Sequence, residues 1–481
     1  MRERRLRRAA LGCAALPLLV AATVLAPRSA QAQAAAAGRG SRLADGAVAL
    51  GPVAAVRADT LRLDLGAAAR LAAERSTAVL LGQLASAEAE ARVVEGRASL
   101  LPRLSLDAVH GDRTFNTASF GLEFPAEPGQ EPLFDPNGEV IGPVTTIDLR
   151  GHLSQTLFDW SALQRLRSAR ADLSASEAAE AAARQRAAAA GAAAWVQAAR
   201  AQRHVAAREA DVELARELVA IARELLSAGV GVRLDVTRAE SQLASMQSQL
   251  VSARAEAERS LLALKRALNL DLDTPVALTD TLAGPAGPPG AAEAVAVAAA
   301  VKQRADVLEL DRRIDAAELG IGAIEAERLP TLSLVAGAGV TGGQYEHLLG
   351  TREWALQVSV PIFDGMRRRA RLDAQRARLS ALEARRRELV QQVAFDVRDA
   401  LLQLRAAREL LSASEARLRL AEEELAQARE RFQAGVAGSA DVITASLRLN
   451  EARTAAVDAR AGWEMARVSL AAARGAVTEI Q

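Results

Sequence analysis

The stretch QVSVPIFDGMRRRARLDAQRARL, residues 357–379, changes its periodicity half way along. Up to Phe363 apolar and polar side chains alternate, as on a strand with one apolar face; beyond Gly365 the chain is a charged, helix-forming run with no further glycine until Gly435. At a rise of 1.5 Å per residue, that run predicts a helix over 366–433 about 100 Å long. A strand that feeds straight into a rod asks what the rest of the chain builds around it.

The chain repeats itself. LLPRLSLDA at 100–108 resembles RLPTLSLVA at 328–336, LFDW at 157–160 answers IFDG at 362–365, and AGVGVRLDV at 228–236 answers AGVAGSADV at 434–442. The offsets are 228, 205 and 206; the larger first one reflects a Pro-, Gly- and acid-rich connection over 113–144 that is longer than its counterpart around 342–351. Two copies of a unit of roughly 200 residues, too long for a solenoid repeat, predict an internal two-fold duplication. Each unit reads helix, strand, loop, strand, very long helix, tight turn, helix. The expected division is 1–32, 33–65 as an N-terminal extension, 66–275 as the first repeat, 276–300 as a linker, and 301–481 as the second repeat.

Strands are expected at about 103–113, 145–158, 331–341 and 352–363. In the second of these Ile147, Leu149, Leu153 and Leu157 share one face and Asp148, Arg150, His152, Ser154 and Thr156 the other; in the fourth Trp354, Leu356, Val358, Val360 and Ile362 alternate with Glu353, Gln357 and Ser359. Strands of about ten residues with one wholly apolar face suit a tilted crossing of a bilayer. Four strands cannot close a barrel, and lipid tolerates no open sheet edge, so a spanning chain must oligomerise; three copies would supply about twelve strands.

The N-terminus points to export. MRERRLRR is a basic start, an apolar stretch with one proline follows, and Ala30-Gln31-Ala32 has the small-x-small form of a cleavage site, so residues 1–32 read as a signal peptide and the mature chain begins near Gln33. Cys13 has no leucine three positions before it, which argues against acylation. Residues 1–32 hold six Arg against one Glu, so removing them takes the formal net charge from +1 to −4 and withdraws support for nucleic-acid binding. With Cys13 gone, no thiol chemistry or disulfide remains. Only 3% of residues are aromatic, too few for a large globular core but enough for closely packed Ala-rich helices.

The helices carry a packing pattern. Leu404, Leu411, Leu418, Leu425 and Phe432 recur every seven residues, with Ala407, Ser414, Ala421 and Ala428 three positions after the first four. Heptads with small residues on the second seam position suit close antiparallel packing. The long helices 160–227 and 366–433 are each about 100 Å, and the shorter ones expected at 66–100 and 232–268, about 52 and 55 Å, match that height when stacked end to end. An isolated coiled-coil rod would share the heptads but not the strands.

The order of elements, the paired LPRLSLDA and LPTLSLVA segments, the VPIFDG switch and the two glycine turns together resemble the TolC-type outer-membrane efflux family over about residues 60–475. The resemblance implies a mainly α, mixed fold: a long antiparallel α-helical barrel continuous with a transmembrane β-barrel to which each subunit of a homotrimer gives four strands. It implies outer-membrane lipid around the strands, a large periplasmic portion, and as partners a periplasmic adaptor and an inner-membrane transporter. Residues 269–300 would form an equatorial segment, and RADVLELDRRIDAAELG at 304–320 resembles the opening of the family's second repeat. By the same resemblance Asp235, Asp441 and Phe432 are gate candidates at the periplasmic mouth. For the two aspartates, a favourable charge at a helix N-terminus is the competing reading. Ala437 and Thr444 stand where some members carry an arginine and a further aspartate. Gly229 and Gly435 end their helices in the left-handed conformation, and with Val230, Arg233, Val436 and Ser439 they are the adaptor-contact candidates, since recognition residues gather on loops projecting from a rigid scaffold.

Catalysis finds no foothold. His110, His152, His204 and His347 are scattered without metal-type spacing and read as solvated or lumen-facing, Glu213 and Arg216 read as a helix-supporting pair, and no phosphate loop or GxSxG elbow occurs. The reading is a non-enzymatic duct without a cofactor, conducting passively from periplasm to exterior when docked to its partners. The alternative is a non-conducting, envelope-spanning coiled-coil structural protein.

Overall fold

The computed structural model describes residues 60–120, 138–279, 282, 293–434, 436 and 438–480. The expected signal peptide with Cys13, the tip of the 113–144 connection and the AGPAGPPG run lie outside the described residues.

Strand β1 (Leu61–Leu63) leads into helix α1 (Leu65–Arg75), which Asp64 caps by accepting from the Ala67 amide at 2.5 Å. The helix expected over 66–100 is broken. Ser76 takes an extended conformation (φ −60°, ψ 136°), ends α1, and caps α2 (Thr77–Ala98) by accepting from the Ala78 amide at 3.3 Å. Serine prefers that half-in position because its hydroxyl satisfies an amide the helix cannot.

Strand β2 (Arg103–Asn116) pairs antiparallel with β3 (Val140–Phe158); both run past their expected ends, with a bulge between Arg113 and Phe115. Helix α3 (Trp160–Ser227) starts on Asp159, whose carboxylate accepts from the Ala162 amide at 3.0 Å and the Ser161 hydroxyl at 2.7 Å. After a tight turn α4 (Arg233–Ala267) returns. Strand β4 (Val276–Leu278) pairs in parallel with β1, so the expected N-terminal extension and linker both contain structure that periodicity did not reveal. Helices α5 (Glu293–Gln303) and α6 (Ala305–Ala326) follow, joined at Arg304.

Strands β5 (Thr331–Gly342) and β6 (Leu349–Ser359) complete a four-stranded antiparallel sheet of order β2-β3-β5-β6. The alternation of the opening stretch outlasts the strand itself: β6 stops at Ser359 rather than 363, because Pro361 has no amide to give a ladder. The switch to helix is then made by Gly365 (φ 64°) and Met366 (φ 67°), both left-handed, with Asp364 accepting from the Arg368 amide at 2.9 Å. Helix α7 (Arg367–Gln433) begins there, and α8 (Ser439–Arg474) returns from its far end.

Near the sheet α3 packs against α2 and α6, and α7 against α6; farther away α3 packs on α4 and α8, and α7 on α8. The α7 heptad is the seam: Leu411, Ser414, Ala421, Leu425 and Phe432 are buried, and the intervening positions face outward. Midway along α3, Trp195 is fully buried among Leu63, Leu65, Ala72, Leu264 and Leu268, and its indole Nε1 donates to the Leu63 carbonyl at 3.0 Å. Gly191 permits that crossing: a Cβ there would lie 2.5 Å from Ala72 Cβ and 3.0 Å from the Ala68 carbonyl. No described helix is long and apolar enough to cross a membrane.

Candidate functional site

The sheet has two unlike faces. The register aligns Leu104, Leu153, Ala336 and Trp354 in one row and Leu106, Gly151, Ala338 and Arg352 in the next. This face lies open within the chain, with Leu104 78% and Trp354 74% exposed. Below it Ile362 and Phe363, 94% and 81% exposed, extend the apolar band past the strand end.

The opposite face is polar and charged. Arg150 on β3 stands 3.5 Å from the Asp148 carboxylate and 3.7 Å from that of Glu353 on β6, and donates to Thr351 Oγ1 at 3.0 Å. It spans the intervening strand because β5 offers glycine there. A Cβ on Gly339 would fall 2.3 Å from the Leu149 carbonyl and 2.7 Å from Arg150 Cα; one on Gly337 would meet Glu353 at 3.0 Å. His152 Nε2 lies 3.6 Å from Asp107 on the same face. His110 instead stacks on Tyr345 on the apolar side, with ring centroids 5.9 Å apart.

At the opposite end of the helices, the two turns share one closing bond, from a valine amide to the carbonyl five residues before it. Gly229 is left-handed (φ 77°); its amide donates to the Leu226 carbonyl at 3.1 Å and the Val230 amide to Leu225 at 3.1 Å, the paired bonds of a Schellman stop. In the second turn the Val436 amide donates to Arg431 at 3.0 Å; Gly435 and Ala437 lie outside the described residues. Val230 and Val436 project, 72% and 73% exposed. Asp235 and Asp441 both occupy the third position of their returning helices, where a negative charge faces unsatisfied amides.

The structure separates the three gate candidates. Asp441 is exposed, whereas Asp235 accepts a hydrogen bond from the buried Ser439 hydroxyl, and Arg238 lies 3.9 Å from it. The tips of the two hairpins are thereby tied. Phe432 faces inward, packed with Leu425, Val442 and Leu449, so within the chain it is a seam residue rather than a mouth-lining one. Thr444 turns back on its own helix, donating to the Ala440 carbonyl at 2.8 Å. Arg233 starts α4 and is exposed.

Above the tips a polar network joins α3 to α8. The buried Asp211 carboxylate receives Arg208 at 3.1 Å and Arg453 at 3.0 Å, and Arg208 also donates to Thr454. With its amide oriented to suit its neighbours, Asn450 donates to Asp211 at 2.6 Å. Burial pushes the Asp211 carboxyl above its ordinary value, the Arg453 and Arg208 contacts notwithstanding. One level higher Asp458 binds Arg200 at 2.7 Å and His204 at 2.8 Å. Burial alone would raise Asp458, but these hydrogen bonds and charges outweigh it and hold the carboxyl below its ordinary value. His204 is therefore a helix-bridging residue, not a solvated one.

Sequence reading missed this network. Its one signal was an acid on an apolar stripe: Asp211 falls in step with Leu214, Leu218 and Ala222, all buried. The pair Glu213–Arg216 forms at 2.5 Å, while many other ion pairs cross between helices, as Arg417–Glu451 and Arg254–Glu209 do.

This architecture has known counterparts. The outer membrane channel CmeC of Campylobacter jejuni superposes with a TM-score of 0.72 at 19% identity, covering 86% of this chain and 85% of that one, a likeness of fold. In sequence, the chain is 32% identical to outer membrane protein OprJ of Pseudomonas aeruginosa over 144 residues, 28% of this chain. It is 26% identical to cation efflux system protein CusC of Escherichia coli K12 over 177 residues, 36% of this chain. The matched stretches span 29% and 39% of those relatives' own length. The model of the outer membrane efflux protein family matches residues 68–270 and 296–476, covering both long helices, both turns and all four strands of the sheet. The chain belongs to the outer membrane efflux protein family.

Proposed function

We propose that the chain is the outer-membrane exit duct of a tripartite efflux or type I secretion system. It conducts substrates passively from periplasm to exterior once a periplasmic adaptor and an inner-membrane transporter have docked. One observation carries this reading: a four-stranded antiparallel sheet that exposes an apolar face, keeps a charged one behind it, and leaves the outer edges of β2 and β6 unpaired among the described residues. Such a sheet is stable in lipid only when its edges are closed. Three chains supply the twelve strands of a barrel whose lumen carries Arg150, Glu353, Asp148 and Asp107. The recurrence of two strands, a long helix, a glycine turn and a returning helix supports the two-fold repeat.

Residues 1–32 serve as the export signal, and helices α3, α4, α7 and α8 form the periplasmic tunnel. Exposed Leu402, Leu410 and Leu420 on α7 and Val251 on α4 are contact surface for neighbouring copies. Asp235 and Asp441 form the acidic constriction at the periplasmic end, closed by the Ser439 tie, and Phe432 holds the adjoining seam. Gly229, Val230, Arg233 and Val436 present the surface the adaptor meets, and opening is an iris-like shift of the helix pairs. The names of the similar proteins OprJ and CusC support an outer-membrane efflux role. A non-conducting rod is not favoured, because it has no use for the apolar sheet face.

The test combines planar-bilayer conductance with the mass of the detergent-solubilised assembly. A conducting trimer is expected; a species that conducts nothing excludes the duct, and a conducting monomer excludes the shared barrel.

A further inference from the structure

We infer that β6 of one copy pairs with β2 of the next in a register that joins Arg352 to Asp112 across the seam, on the lipid-facing side. This rests on the duct reading above. Arg352 lies in the row Leu106, Gly151, Ala338 of the apolar face, and Asp112, two residues beyond His110 and opposite Thr145, lies on that face as well. Each is exposed, each sits on an edge strand, and neither side chain makes a hydrogen bond or ion pair with a described residue. Unpaired charges of opposite sign on the two edges that must meet are what a seam would bring together, since a lone charge facing lipid is destabilising.

Geometry limits the register. In a barrel of three copies, four strand spacings of about 4.8 Å at a tilt of 35–45° carry a hydrogen-bonded row along the strands by roughly 13–19 Å, about four to six residues. An odd displacement would turn the apolar side of one copy inward, so four or six remain. The direction follows from strand ends. Displacement toward lower β2 numbers would set Leu349–Ser359 against residues 93–105, mostly before β2 begins at Arg103. The opposite direction sets the same strand against 103–113 or 105–115, within β2 in both cases. At six residues Arg352 directly faces Asp112; at four it faces His110 and reaches Asp112 on the diagonal, a separation long side chains bridge.

Charge reversal tests the pairing through the thermal dissociation of the detergent-solubilised trimer. Arg352→Asp and Asp112→Arg each lower the dissociation temperature, and the combined reversal recovers at least about half of the loss; losses that simply add overturn the proposal. In a Cys13→Ser background, Asp112→Cys with Arg352→Cys gives dimers and trimers on cross-linking with a short bismaleimide, and neither single cysteine does. A conducting trimer that cross-links instead through Leu106→Cys with Arg352→Cys overturns the register but leaves the duct reading intact. A non-conducting monomer overturns both.

Discussion

The Ser439 hydroxyl donates to the Asp235 carboxylate, so the first residue of α8 holds the third residue of α4. This contact joins the ends of two hairpins that are otherwise separate excursions of the chain. A hydrogen bond to a charged group contributes about 1.5–3 kcal/mol, so its loss shifts a closed state that depends on it by roughly ten-fold or more. Ser439→Ala is expected to raise the open fraction in single-channel records. Asp235→Ala with Asp441→Ala is expected to enlarge conductance and weaken block by divalent cations; unchanged values would remove these aspartates from the gate.

Asp211 is the buried counter-ion of Arg208 and Arg453. Removing one partner of a buried ion pair strands the other charges, at a cost of about 3–5 kcal/mol, and the partial exposure of both arginines places Asp211→Ala at the lower end. Melting followed by far-ultraviolet circular dichroism should show the loss. Thr454→Val, which removes only a neutral partner of Arg208, should cost clearly less.

Acid acts on the α3–α8 contact through Asp458, whose carboxyl is held below its ordinary 3.8 in the folded chain. The unfolded chain then binds the proton more readily, so the contribution of Asp458 is complete above 3.8 and lost as pH falls through the lower folded value. Asp211 has the opposite sign: its raised value makes folding at that group less favourable as pH climbs from 3.8 through the folded value. Asp458→Asn should flatten the acid limb of the stability curve, and Asp211→Asn should steepen it, in melts collected across the carboxylate range.

Gly191 tests the mid-height crossing. Alanine is the better helix former by about 1 kcal/mol, yet the new methyl would collide with Ala72, and overpacking of a tight core costs roughly 1–3 kcal/mol. Gly191→Ala is therefore expected to lower the melting temperature, and adding Ala72→Gly to recover part of it. A gain from Gly191→Ala alone would mean that α1 and α3 do not touch as described.

The parts of this molecule legible in its sequence are those written in local chemistry. The long helix at 160–227 is bracketed by Asp159 and Gly229, a cap and a stop, and the α7 seam repeats every seven residues. Where local chemistry was ambiguous, the reading slipped. Alanine-rich helix former on both sides hid the break at Ser76, and the alternation through Ile362 continued past the point where Pro361 ends the ladder. Three-residue strands such as β1 and β4 have no periodicity to read. The Asp211 network needed Arg453 from α8, a distant partner no local pattern announces. Phe432 was recognisable as a seam residue, and its inward orientation follows from that seam.

The near-equal lengths of α3 and α7, 68 and 67 residues, make the molecule a ruler graduated in residues. One inserted residue would swing everything beyond it by about 100° and detach one hairpin end from the other. An insertion that keeps both faces in step must therefore come close to a whole number of turns, such as seven, eleven or eighteen residues, taken in both rods together, so that this scaffold lengthens or shortens in quanta and not by gradual drift.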